Sequence, residues 1–157
     1  MASPPFDAFA PQVAGFLAAA RTAALATADG DGRPHAANVR FACDERWRFC
    51  WVSSERSLHS RNIAARPDAA LCIYGHDDAP AQIHGLQVRG LARAASDVEH
   101  RHALATYSER YPEIVANAQF AAIMQREAFY VLEPTWMRWI DNRRGFGFKI
   151  EWDAGNP

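Results

Sequence analysis

Residues 56–67, Arg-Ser-Leu-His-Ser-Arg-Asn-Ile-Ala-Ala-Arg-Pro, concentrate groups that can hold a phosphate. Ser54 and Ser57 offer hydroxyls, and Arg56 and Arg61 offer permanently charged planar forks suited to bidentate contact with phosphate oxygens. His59 and Asn62 add donors, and the free N–H groups at a helix start point the same way. The segment follows the apolar run Trp47–Ser53 and precedes a second one, Ala69–Tyr74. A strand therefore hands over to a short helix, 57–65, closed by Pro67, at a place built for an anion.

Composition removes several alternatives. With 157 residues, 49% hydrophobic and 22% charged, the chain is expected to form one globular domain, 1–157, with a real core. A net charge of −1 supplies no general field for nucleic acid. Of the 17 cationic residues only Lys149 is a lysine, which argues against Schiff-base chemistry. Cys43, Cys50 and Cys72 form no CxxC pair and lie in apolar runs, so buried thiols in a reducing compartment are expected. There is no basic-then-apolar leader in MASPPFDAF and no apolar stretch of ~20 residues, so the expected location is cytoplasmic, off the membrane.

These groups need elements to position them. Phe6, Phe9, Val13, Phe16 and Leu17 recur at helical spacing and predict an N-terminal helix within 1–20, regular from about Pro11. A strand over 22–27, a glycine-rich turn and an alternating strand over 35–43 follow. In that strand Ala37, Val39, Phe41 and Cys43 face one way, and Ala36, Asn38, Arg40 and Ala42 the other. Trp47, Phe49 and Trp51 share a face of the next strand, 47–53. Beyond the short helix come a strand over 69–74, a turn over 75–80, and a long strand, 81–94. Gly85 and Gly90 in that strand signal a bulge or a close backbone approach. The Ser96–Glu99 capping box opens a helical insert, 96–125, whose second helix spans 112–125. Strands 129–132 and 135–141, joined at Glu133-Pro134, lead into a tail, 143–152. Short turns favour antiparallel pairing, so the fold class is mainly β with α (α+β), a six- to seven-stranded antiparallel split β-barrel with flanking helices.

In this order the motifs resemble the pyridoxamine 5′-phosphate oxidase-like family of split-barrel flavoproteins. The resemblance rests on Gly32-Arg33-Pro34-His35-Ala36, the strands through Ser53, Ser60-Arg61-Asn62-Ile63, and Arg66-Pro67. The closing segment, Asp141 to Lys149, is similar to the end of a smaller branch of that superfamily. The resemblance implies a homodimer holding FMN (less readily the deazaflavin F420) at the subunit interface and serving a small-molecule redox partner. It places the flavin along Ala37, Asn38, Val39 and Arg40, and then Val52 and Ser53. The family's Arg-Lys phosphate clamp falls on Leu58 and His59, so Arg56, Ser57 and Arg61 must supply the charge here. The oxidases proper carry a second basic set near the C-terminus, where this chain has only Trp136-Met137-Arg138-Trp139, which argues against their reaction.

Other chemistry is weaker. His100 and His102 are two apart on a helix and cannot converge on one metal ion, so a solvated face is expected there. No GxSxG elbow accompanies the serines. The tryptophans read as core or as flavin-stacking residues, and the tail as pocket wall or closing strand. A flavin carrier or sensor without turnover and an oligonucleotide-binding barrel, using Arg40, Arg48, Arg89 and Arg93, are the competing functions.

Overall fold

The computed structural model describes residues 6–75 and 79–154, so the expected turn at 75–80 lies partly outside the described residues. A 3-10 turn, Phe6–Phe9, runs into α1 (Ala10–Ala19), which carries Pro11 in its first turn, where no N–H partner is needed. Then come β1 (Thr22–Ala28), β2 (Pro34–Arg40), β3 (Ala42–Cys43), β4 (Phe49–Ser53), α2 (Leu58–Ala65), β5 (Asp68–Tyr74) and β6 (His84–Ala94). The helical segment α3 (Asp97–Arg110), α4 (Pro112–Val115) and α5 (Ala118–Arg126) precedes β7 (Ala128–Asp141) and β8 (Lys149–Asp153).

All pairings are antiparallel, in the order β2-β1-β5-β6-β7-β4-β3, with β8 also on β7. The two ends of this order, β2 and β3, are separated in the chain by Phe41 alone. They form one bent strand, so the sheet of seven strands curls back toward itself as a split barrel with flanking helices. Inside lie Leu25, Phe49, Trp51, Leu71, Leu86 and Trp139, capped by Val13 and Leu17 of α1. A smaller cluster, including Cys50, Tyr107, Tyr111 and Phe129, seats α3 against the far side of the β3–β4 hairpin.

The bend corrects the expected alternation. Val39 and Phe41 point inward as foreseen, but Ala42 is only 1% exposed and packs under α3, because the face reverses where the strand turns. Trp47 lies outside β4 with φ 61, although it still packs on the main core beside Phe6. The helix foreseen over 112–125 is two, since Asn117 uses its Oδ1 to cap the start of α5 at Gln119 and Phe120. Pro134 does not divide β7: it stands opposite the Arg89/Gly90 bulge, where β7 passes from pairing with β4 to pairing with β8. Both glycines of β6 are close approaches. A Cβ at Gly85 would lie 2.5 Å from the Ile73 carbonyl oxygen, and one at Gly90 2.1 Å from that of Glu133. Of the tail, 149–153 is a closing strand that buries Ile150, while Phe146 stands 88% exposed in the loop before it.

Candidate functional site

The end of β4 and the start of α2 are one polar unit. Ser57 caps α2, accepting from the Ser60 amide and donating to the Ser60 hydroxyl at 2.8 Å. His59 Nε2 lies 2.6 Å from Ser53 Oγ and 3.1 Å from Ser57 Oγ. Burial, and then the positive potential of His35 on β2, hold the His59 imidazole below its ordinary pKa, so it is neutral at pH 7. Arg56 and Arg61 are exposed, and neither pairs with a carboxylate among the described residues. Two free guanidiniums beside a hydroxyl–imidazole cluster and a helix start match the donor set of a phosphate monoester.

Asn62 is not part of this group. It is 4% exposed, and its amide donates to Thr27 Oγ1 at 3.1 Å, tying α2 to β1. Leu58 is 45% exposed and offers no polar atom. Val52 and Ser53 are half-buried where β4 ends. On β2, Ala37 and the buried Val39 turn toward the barrel, whereas Asn38 and Arg40 are exposed on the opposite face, with Arg40 5.1 Å over the Tyr111 ring. No single ligand can touch all four side chains. The free backbone edge of β2, which pairs only with β1, is what they share.

The outer face carries a pattern that sequence reasoning missed. Cross-strand register aligns Asn38, Ala24, Cys72, Gln87 and Arg138 in one row, and Ala36, Ala26, Ala70, Arg89 and Trp136 in the next. All of these residues except Asn38 line a shallow depression of about 470 Å³. The alternating alanines of β1 were the available signal. Trp136 is sandwiched between Arg89 at 4.2 Å and Arg138 at 4.9 Å, while Trp51 and Trp139 are core residues. Cys72 lies exposed on this face, contrary to the expectation of three buried thiols, because its position in β5 points outward. Burial raises the Cys50 thiol to about 12 and raises Cys43 as well, so neither is a nucleophile at neutral pH.

On α3, Arg101 and His102 are exposed, as expected of a solvated face, while His100 is half-buried. His102 Nε2 meets Asp44 Oδ2 at 2.9 Å, and the His100 ring stands edge-on to Phe129. Asp44, Glu45 and His102 bring their ligand atoms within 4.8 Å of one another. Arg48 already binds the same Asp44 oxygen at 2.8 Å, so the group is an ion-pair network. Burial opposes ionisation of Asp44, but its bonds to Arg48 and His102 outweigh that and keep its carboxyl below the usual range.

This architecture is that of a split barrel with a polar strand-to-helix junction. Residues 9–141 match the model of the pyridoxamine 5′-phosphate oxidase family, and the chain belongs to that family. It is 28% identical over 109 residues to a UPF0306 protein of Klebsiella pneumoniae, covering 68% of this chain and 69% of that protein. It is similar in fold to a heme binding protein from Mycobacterium smegmatis (TM-score 0.72, 19% identity, 99% of this chain and 60% of that one). A second likeness is HutZ, the heme storage protein of Vibrio cholerae (TM-score 0.66, 20% identity, 79% and 88% of the two chains). Among the described residues no helix is long and apolar enough to cross a membrane.

Proposed function

We propose that this chain is a cytoplasmic, homodimeric flavoprotein that binds FMN and exchanges electrons with a small molecule. The carrying observation is the pair of unpaired guanidiniums, Arg56 and Arg61, flanking the Ser53–Ser57–His59 cluster beside the free edge of β2. The donor set fits the FMN phosphate, and F420 would use the same anion site. Bound flavin would supply the redox chemistry, and the protein's part is to hold and orient it. Ser53, Ser57, Arg56 and Arg61 grip the phosphate; the β2 edge from Ala37 to Arg40, with Val52 at the end of β4, lies along the rest.

The alanine rows give a flat apolar patch on which a second copy can close, and Asn38 and Arg40 lie on that same side of β2. The family's namesake reaction is disfavoured: Arg138 is held by Glu151 at 2.6 Å and Arg143 by Asp141 at 2.7 Å, so neither is free for a second phosphate. Nucleic-acid binding is disfavoured too, since Arg48 and Arg93 are engaged by Asp44 and Glu99, and Arg40 and Arg89 lie over Tyr111 and Trp136.

FMN titration followed by flavin fluorescence, then anaerobic addition of NADH or NADPH, tests this. Saturable binding and rapid bleaching support an oxidoreductase. Binding without reduction makes the protein a carrier or sensor, and no binding overturns the reading. Heme is a second reading, favoured by the two heme proteins that share the fold and by a histidine-lined cavity away from α2.

A further inference from the structure

The geometry points to His84 as the iron ligand of a heme site in the cavity between α1, the start of β1 and the end of β5. This inference rests on the heme reading above and locates it on the chain. The cavity, about 500 Å³, is lined by Phe16, Arg21, Asn38, Tyr74, Gly75 and His84, among others, and falls in the size range of small-molecule pockets.

His84 Nδ1 lies 2.7 Å from the Gln82 carbonyl oxygen. A carbonyl only accepts, so Nδ1 carries the proton and Nε2 is the nitrogen that can offer a lone pair to a metal. A histidine anchored through one nitrogen to a backbone carbonyl, with no hydrogen-bond partner for the other among the described residues, has the arrangement of a metal-ligating imidazole. The ring is held by edge contacts with Phe16 at 5.3 Å and Trp139 at 6.2 Å. Gly75 makes the room: a Cβ there would lie 2.6 Å from His84 Cε1 and 2.9 Å from Nε2.

The other described histidines are placed differently. His59 is engaged by Ser53 and Ser57, His102 by Asp44, and His100 by the Phe129 ring; His35 does not line this cavity. One imidazole cannot by itself hold a bare metal ion tightly. It can hold an iron that brings four nitrogens of its own, as a porphyrin does. Phe16, Tyr74 and the alanines of α1 and β1 give apolar walls for the macrocycle, and Arg21 in the lining offers a cation for a carboxylate, although it also pairs with Glu113 at 2.9 Å. The cavity reaches Ala24 on β1, three residues short of the Thr27 that anchors α2, about 10 Å along the strand. The cavity is thus separate from the phosphate cluster, and Asn38 is the one residue it shares with the β2 edge assigned to the flavin.

The test is titration of the full chain with hemin, read by the Soret band. Wild type is expected to give a saturable histidine-ligated spectrum. H84A should bind at least ~10-fold more weakly with a shifted band, and added imidazole should restore the wild-type spectrum by filling the space left behind. G75V, checked for folding by circular dichroism, should weaken binding as well, while FMN affinity stays unchanged in both variants. A wild-type chain that takes up no hemin overturns the heme reading altogether. Hemin bound with the same affinity and spectrum in H84A leaves that reading standing and overturns the placement at His84.

Discussion

His59 Nε2 lies 2.6 Å from Ser53 Oγ, so the last residue of β4 and the first turn of α2 are held as one surface. The contact turns a strand end and a helix start, each marginal as an anion site, into a fixed group of donors flanked by two free guanidiniums. Arg56→Ala and Arg61→Ala should each cost about 1.5–3 kcal/mol of FMN affinity, roughly ten- to a hundredfold, with unfolding unchanged. Fluorescence titration checks this. Wild-type affinity in both variants would mean that the phosphate sits elsewhere.

The state of His59 sets a pH dependence. Burial first, then His35, lower its folded pKa, so on acidification the unfolded chain takes up this proton before the folded one does. Its contribution to stability is therefore complete above the ordinary histidine value of about 6.5 and declines as pH falls through the lowered one. Urea midpoints measured from pH 7.5 downward should fall less in His59→Asn than in wild type. His59→Lys should keep or tighten FMN binding by placing a permanent positive charge where the neutral imidazole supplies none at pH 7.

The strands and their glycines were legible because burial alternates with period two and because Gly85 and Gly90 interrupt an otherwise apolar run. The clustering of Ser53, Ser57 and His59 was legible because these residues lie within a dozen positions of one another. The reversal at Ala42, the inward turn of Asn62 and the cavity at His84 were not. Each depends on which distant element packs alongside (α3, β1 and α1 respectively), and local periodicity does not carry that. Tertiary pairing also decided β7, where a proline that reads as a break falls at a bulge and a change of partner.

Glycine substitutions separate these cases. Gly90→Ala drives a Cβ into the Glu133 carbonyl and should destabilise by about 1–3 kcal/mol, read from denaturant midpoints. Gly15, within α1, has open space around it, so Gly15→Ala should stabilise by about 0.4–1 kcal/mol. A neutral Gly90→Ala would mean that the bulge relaxes freely.

Ala26 faces Ala70 across β1 and β5 at the centre of the flat outer patch. Ala26→Arg places a charge there and should yield monomers in sedimentation. If the flavin needs both subunits, FMN affinity should fall in the same variant, because binding and association are linked. A folded monomer that holds FMN as well as wild type would refute the interface.

The segment after Asp141 has two parts that truncation would confuse. Ile150 is 1% exposed on β8, which pairs with β7 along Lys149–Asp153, so removing the tail strips a strand and part of the core. Ile150→Ala alone should cost about 2–5 kcal/mol. Phe146, by contrast, is 88% exposed between two glycines with positive φ, Gly145 and Gly147, so Phe146→Ala should leave the unfolding midpoint unchanged. Its aromatic face is then free for a ligand or a second subunit. If that loop covers the flavin, Phe146→Ala should alter the rate at which NADH or NADPH reduces bound FMN while FMN affinity changes less. Identical stopped-flow traces for Phe146→Ala and wild type would leave the tail a closing strand with no part in the site.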